Sequence, residues 1–112
     1  MLKVSIITVC YNSSKTIEKT IQSVLKQNYN NIEYLIIDGG SNDSTMDVIN
    51  KYRENIDKVL SENDSGLYDA INKGIKLSKG EIIGLLHSDD IYASDDVISL
   101  YVSEFYDPKI EF

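Results

Sequence analysis

Residues Tyr34–Thr45 read YLIIDGGSNDST. A short apolar run rich in isoleucine ends in an acid, Asp38, and passes into two glycines and a string of small polar residues. Such a run is a strand, and the Gly-Gly-Ser-Asn-Asp segment is the punctuation that ends it and opens a helix. The same alternation extends in both directions. Strands are expected at 3–9 (KVSIITV), 32–38 (IEYLIID), 57–62 (DKVLSE) and 81–88 (EIIGLLHS). Between them the period changes to that of a helix. Residues 14–27 place Ile17, Ile21, Val24 and Leu25 on one side, with Ser13 or Ser14 as N-cap. Residues 43–54 do the same with Met46, Ile49 and Tyr52, capped by Asp43 or Ser44, and acids in the first turn suit the helix dipole. A third helix is expected at 66–78, and a fourth from Ser94 or Asp95 to about Tyr106, with the only proline, Pro108, beyond it.

The order is β-α-β-α-β-α-β-α. Strands apolar on both faces and separated by amphipathic helices form a mostly parallel sheet covered on both sides. With right-handed crossovers this is an α/β, Rossmann-like doubly wound fold. The chain has 112 residues, enough for one domain. Its end, DPKIEF, reads as the start of something unfinished. Apolar residues make up 42% and charged residues 26% of the chain, ordinary values for a water-soluble protein. No apolar run approaches the roughly 20 residues that span a bilayer. The amino-terminal segment reads as a strand and not as a signal peptide, and Cys10, the single cysteine, excludes a disulfide framework and is expected as a small core residue. A cytoplasmic location follows, with the inner face of a membrane as an option. The net charge of −7 argues against nucleic acid as partner, but not against a nucleotide, whose phosphates a metal held by acids would offset.

In a sheet of this kind ligands bind outside the carboxyl ends of the strands. All four expected strands end there in polar, mostly acidic residues: TVCYN, DGGSNDS, SENDSG and LHSDD. Asp38 is thereby a candidate for accepting a hydrogen bond from a ring N–H such as that of uracil, with Gly39 and Gly40 allowing close approach or positive φ. The plainer alternative is a turn with a capping acid, a role that Ser41, Asp43 or Ser44 could fill instead. In His87–Asp90 (HSDD) two adjacent acids after a buried strand need water, caps or a metal, and hard oxygen ligands suit Mg²⁺ or Mn²⁺ completed by a diphosphate. There is no phosphate-cradling loop of the G-x-x-x-x-G-K-[ST] type, so a metal is the expected phosphate holder.

Taken together, VSIITVCYN, IIDGGSNDST and ENDSGLYDAINKGIKLSKGEIIGLLHSDD resemble the family-2 glycosyltransferases of the GT-A fold over residues 3 to about 96. The resemblance implies a nucleotide-diphosphate-sugar donor, a UDP-sugar by preference, and a glycan or protein-glycan acceptor with a hydroxyl. It implies Thr8, Tyr11 and Asn12 at the base and ribose, Asp38 on the base, and Asp64 beside the nucleotide. Asn72, Lys73 and Gly74 lie on the following helix, Ser88 touches the nucleotide, and Asp89 is the metal ligand. Tyr68, Asp69, Asn72, His87 and Asp90 are candidates for the sugar or for supporting its contacts. The chain departs from the family pattern at Gly40, an additional glycine, and at His87, which stands where the metal motif has its first acid. Family members are also longer. Their second half supplies the acceptor pocket and, in inverting members, the catalytic base. The chain is therefore expected to be the donor-binding part, cut before the acceptor half, with uncovered apolar surface that favours a homo-oligomer. A non-catalytic nucleotide-sugar-binding or assembly module is the alternative.

Overall fold

The computed structural model describes residues 2–105. The expected end of the last helix at Tyr106, Pro108 and the DPKIEF segment lie outside the described residues. Four strands, β1 (Val4–Cys10), β2 (Ile32–Asp38), β3 (Lys58–Ser61) and β4 (Ile82–Leu85), form one sheet in the order β3-β2-β1-β4. Every pairing is parallel, with Cys10 opposite Asp38 and Asp38 opposite Ser61, so the strands finish along one edge. The chain steps outward from β1 to β2 to β3, then returns to place β4 on the other side of β1. The order reverses between β1 and β4, which is where a doubly wound sheet opens a crevice.

Helices α1 (Ile17–Leu25), α2 (Thr45–Lys51) and α4 (Val97–Phe105) cover one face. Ile17, Ile21, Val24, Ile49, Ile98 and Val102 pack there against Val4, Ile6 and Ile36. Helix α3 (Leu67–Leu77) covers the other face, bringing Ala70 and Ile71 onto Ile7, Val9, Leu35 and Ile37. The approach is close because Gly74 faces the sheet: a Cβ there would lie 2.6 Å from Ile7 Cγ2. Gly74 thus sits in the helix–sheet interface, away from any ligand. At the amino edge, buried Glu33 accepts hydrogen bonds from Ser5 Oγ and Lys79 N–H, both at 2.8 Å, and pairs with Lys58 at 3.5 Å, joining three strands and the α3–β4 loop. No helix among the described residues is long and apolar enough to cross a membrane.

Element types and order match the sequence expectation; the boundaries are shorter. α1 begins at Ile17 and not at 14, because Ser13 is drawn elsewhere: its N–H donates to Thr45 Oγ1 at 2.7 Å and its hydroxyl meets Ser88 Oγ at 2.8 Å. α2 begins at Thr45, whose N–H donates to Asp43 Oδ1 at 2.9 Å, so Asp43 supplies the cap. α4 begins two to three residues later than expected. Strand β4 stops at Leu85, and it is not covered on both faces: Ile83 is 42% and Leu85 46% exposed. The reason is lateral. Among the described residues α3 is the single helix on that face, and it lies over β1 and β2, which leaves the β4 side uncovered by them.

The glycine at the helix–sheet contact sets up a test. Gly74→Ala gains about 1 kcal/mol of helix propensity but forces a methyl into a filled interface, at a cost of about 1–3 kcal/mol. A net loss of stability of about 1 kcal/mol in urea unfolding is expected, and Gly74→Val should lose more. An unchanged or raised midpoint for Gly74→Val would show that α3 has room to spare.

Candidate functional site

The carboxyl edge of the sheet carries a cleft of ≈ 1000 Å³. Four loops wall it. The stretch after β1 contributes Tyr11, Asn12 and Lys15; the loop after β2 contributes Gly39 and Asp43; the loop after β3 contributes Asn63 and Asp64; the loop after β4 contributes His87, Ser88 and Asp89. Leu67 and Ala70 of α3 close one side.

Asp38 does not line this cleft. It is 0% exposed, and its carboxylate accepts from Gly40 N–H at 3.1 Å, Ser41 N–H at 2.9 Å, Ser41 Oγ, Ser61 Oγ at 2.8 Å and Cys10 Sγ at 3.4 Å. The sequence reading that put Asp38 on the base is corrected here: five donors from three segments consume its lone pairs, and Asp38 organises the floor of the cleft. Burial pushes its carboxyl up, but the hydrogen bonds from Ser41, Ser61 and Cys10 outweigh that and hold it below the ordinary carboxylate value. Burial, reinforced by the Asp38 charge, pushes the Cys10 thiol well up, so it stays protonated and donates.

Thr8 is likewise absent from the cleft. It is fully buried and shares a 2.9 Å hydrogen bond with Tyr34 Oη in the core. Lys73 pairs with Glu62 at 3.0 Å and Asp69 at 3.4 Å and reaches the Asn63 carbonyl, clamping α3 to the loop before it. Asp69 accepts from Ser65 N–H at 2.9 Å. Tyr68 and Asn72 are exposed on α3, and Asp90 is exposed beyond the turn that its N–H makes to the His87 carbonyl. None of these six lines the cleft: Thr8 points into the core, and the side chains of the other five belong to the outer surface of α3 or to the far side of the loop.

Tyr11, Asn12, Asp64, His87, Ser88 and Asp89 do meet there, as expected. The Tyr11 ring is 60% exposed at the rim and offers a stacking surface. Asn12 has φ 47°, a conformation Asn tolerates better than most residues, and it ties two loops: its N–H donates to Ser41 Oγ at 2.8 Å and its Oδ1 accepts from Asn42 N–H at 2.9 Å. The side chain of Asp89 makes no hydrogen bond or ion pair among the described residues. Two residues went unnoticed in the sequence. Lys15 is the one lysine or arginine among the described residues that lines the cleft. Thr20, buried on α1, donates to the carbonyls of Ser88 at 3.0 Å and Asp90 at 2.6 Å and so holds the HSDD loop from behind. Asp43 also lines the cleft, but its oxygens accept from Thr45 and Ser14; the Thr45 hydroxyl above all lowers its carboxyl to about 2.

For a divalent cation the fit is partial. No group of three or more His, Cys, Asp or Glu converges among the described residues. Asp89, with His87 two residues away, offers one or two ligands, and phosphate oxygens would have to complete the shell, as they do for Mg²⁺ and Mn²⁺ at diphosphate sites.

The profile described as Glycosyl transferase family 2 matches residues 5–109. The chain belongs to that family. An uncharacterized glycosyltransferase of Mycobacterium tuberculosis is 36% identical over 97 residues, covering 86% of this chain and 37% of that protein. The poly-beta-1,6-N-acetyl-D-glucosamine synthase of Staphylococcus aureus is 36% identical over 110 residues, 96% of this family-2 chain and 26% of the synthase. Among solved structures, S. aureus TarS 1–349 in complex with UDP-GlcNAc superposes with a TM-score of 0.85 at 26% identity, over 94% of this chain and 31% of that one. The parallel sheet and its helices are those of the GT-A fold. The chain thus spans roughly a quarter to a little over a third of the relatives it matches.

Asp38 makes the cleft floor sensitive to acid. A carboxyl depressed in the fold contributes stability that is complete above its unfolded value of about 4 and is lost as pH falls through the lower folded value. Asp38→Asn should cost about 1–3 kcal/mol near neutral pH and flatten the acid limb of the stability curve. The check is urea unfolding at a series of pH values; wild-type and variant curves running parallel down to pH 2 would remove Asp38 from that role.

Proposed function

We propose that this chain is the donor-binding part of a glycosyltransferase that moves a sugar from a nucleotide diphosphate, a UDP-sugar, to a hydroxyl of a glycan or protein-glycan acceptor. The observation that carries this reading is the convergence, in one cleft at the sheet's switch point, of an exposed aromatic ring, a cation and an unengaged carboxylate: Tyr11, Lys15 and Asp89. The UDP-GlcNAc bound to TarS and the product named for the S. aureus synthase support the choice of a UDP-sugar. Tyr11 stacks on the base, Lys15 meets the diphosphate, and Asp89, with His87 beside it, would hold Mn²⁺ or Mg²⁺. A bound cation supplies charge stabilisation to the departing diphosphate.

A binding module without transfer is the second reading for this chain alone. It is favoured by the carboxylates in the cleft: Asp43 is engaged, Asp89 is assigned to the metal and Asp64 lies on the β3 side. Among the described residues no further carboxylate lines the cleft to deprotonate an acceptor. The bare apolar surface at Ile83 and Leu85 supports the further expectation that the chain associates with copies of itself.

Titration calorimetry with UDP and UDP-GlcNAc, with and without Mn²⁺, tests the donor reading. Binding should weaken tenfold or more without metal and in Asp89→Asn, and Tyr11→Ala should cost about 1–3 kcal/mol. If wild type binds neither ligand at millimolar concentration in the presence of Mn²⁺, the reading fails.

A further inference from the structure

The double glycine after β2 matches the loop after β3 atom for atom. A Cβ on Gly40, whose φ is +88°, would fall 2.2 Å from Asn63 Oδ1, and a Cβ on Gly39 would fall 2.8 Å from Asp64 Oδ2. The Asn63 and Asp64 side chains therefore lie in the space that side chains at 39 and 40 would fill. This brings the Asp64 carboxylate over the floor that Asp38 organises.

Three carboxylates line the cleft among the described residues: those of Asp43, Asp64 and Asp89. Asp43 already accepts at both oxygens, from the Thr45 N–H and hydroxyl at Oδ1 and from Ser14 N–H at Oδ2, 3.4 Å away. Asp89 stands across the cleft on the β4 side. Asp64 differs from both. One of its oxygens, Oδ1, is anchored by Gly66 N–H at 3.0 Å, while Oδ2 has no hydrogen-bond partner among the described residues and lies over Gly39. It is half-buried, so water screens it incompletely. A carboxylate fixed through one oxygen and open at the other is an acceptor set for a single N–H donor.

We propose that Asp64, and not Asp38, is the specificity-determining carboxylate that reads the nucleotide base, and that Gly39 leaves the space it reads from. The inference rests on the donor-site reading above and deepens it. The ligand class is a nucleoside diphosphate whose base presents a ring N–H beside a carbonyl, as uracil and guanine do. Cytosine and adenine present a ring-nitrogen lone pair on that edge, which a carboxylate repels. Asp38, saturated by five donors, cannot make this distinction; Asp64 can.

The test is calorimetric titration in Mn²⁺ with UDP, GDP, CDP and N3-methyl-UDP on wild type, Asp64→Ala and Gly39→Ala, with circular dichroism melting of each variant. Wild type is expected to bind UDP or GDP at least tenfold more tightly than CDP, and UDP at least tenfold more tightly than N3-methyl-UDP if uracil is the base. Asp64→Ala should lose that discrimination. Gly39→Ala keeps the carboxylate but displaces it, and should lose most of the discrimination with its melting transition retained. Wild type binding UDP, GDP, CDP and N3-methyl-UDP with equal affinity, or a folded Asp64→Ala that discriminates as wild type does, overturns the assignment and leaves the donor site standing. Absence of binding to any of the diphosphates overturns both.

Discussion

A single buried carboxylate holds the working edge of this sheet together. Asp38 takes donors from the end of β1, from its own following loop and from the end of β3. A buried charge without partners is prohibitively expensive, whereas a saturated one makes each donor's position depend on the others. Three strand ends and the loop that opens toward the ligand are therefore set as a unit before anything binds. The hydrogen bonds from Asn12 to Ser41 and Asn42, and from Ser13 to Thr45, extend that unit to the loop after β1.

Above this floor the cleft is anionic, with Asp43, Asp64 and Asp89 against one lysine, Lys15, in a chain of net charge −7. A diphosphate would meet a repulsive field there, and the proposed divalent cation changes its sign. The division of labour among the acids follows from what already occupies them. Asp38 is consumed by the protein, Asp43 is engaged at both oxygens by Thr45 and Ser14, and Asp64 and Asp89 face the cleft with more capacity left. Being acidic and being at a strand end does not distinguish these cases; the count of donors already spent does.

The fold was legible because its signals are periodic and local. Four β-rich runs, four helical runs and their order survive any uncertainty at the boundaries, and β1 and β2 are long and apolar enough to be unmistakable. The ends were less so, since Ser13 and Thr45 are diverted into contacts with partners 75 and 32 residues away. The exposure of β4 is not legible either: IIGL reads as a buried strand, and the placement of α3 over β1 and β2 leaves one of its faces uncovered among the described residues. In the site, Tyr11, Asn12, Asp64 and the HSDD loop were readable from their position after strands. Asp38 was not, because whether a strand-end acid looks up into a cleft or down into a knot of donors depends on Ser61 and Cys10, which are distant in sequence. Lys73 and Asp69 were misplaced for a similar reason: a helix that opens onto a cleft has only one side toward it.

Helix α1 carries a consequence of its own. Thr20 and Ser23 on the helix, and Gln27 just beyond its end, recur at helical spacing and would pass for a solvated stripe. They instead engage Ser88 and Asp90, then Tyr92, then Ser94 and Ile98. The whole connection from β4 to α4 is laced along this one helix like a belt through loops. Mechanically, the segment bearing Asp89 is fastened mostly to α1, with Ser13 and the Ile7 carbonyl of β1 as its other anchors. A tilt or slide of α1 would carry Asp89 with it across the mouth of the cleft.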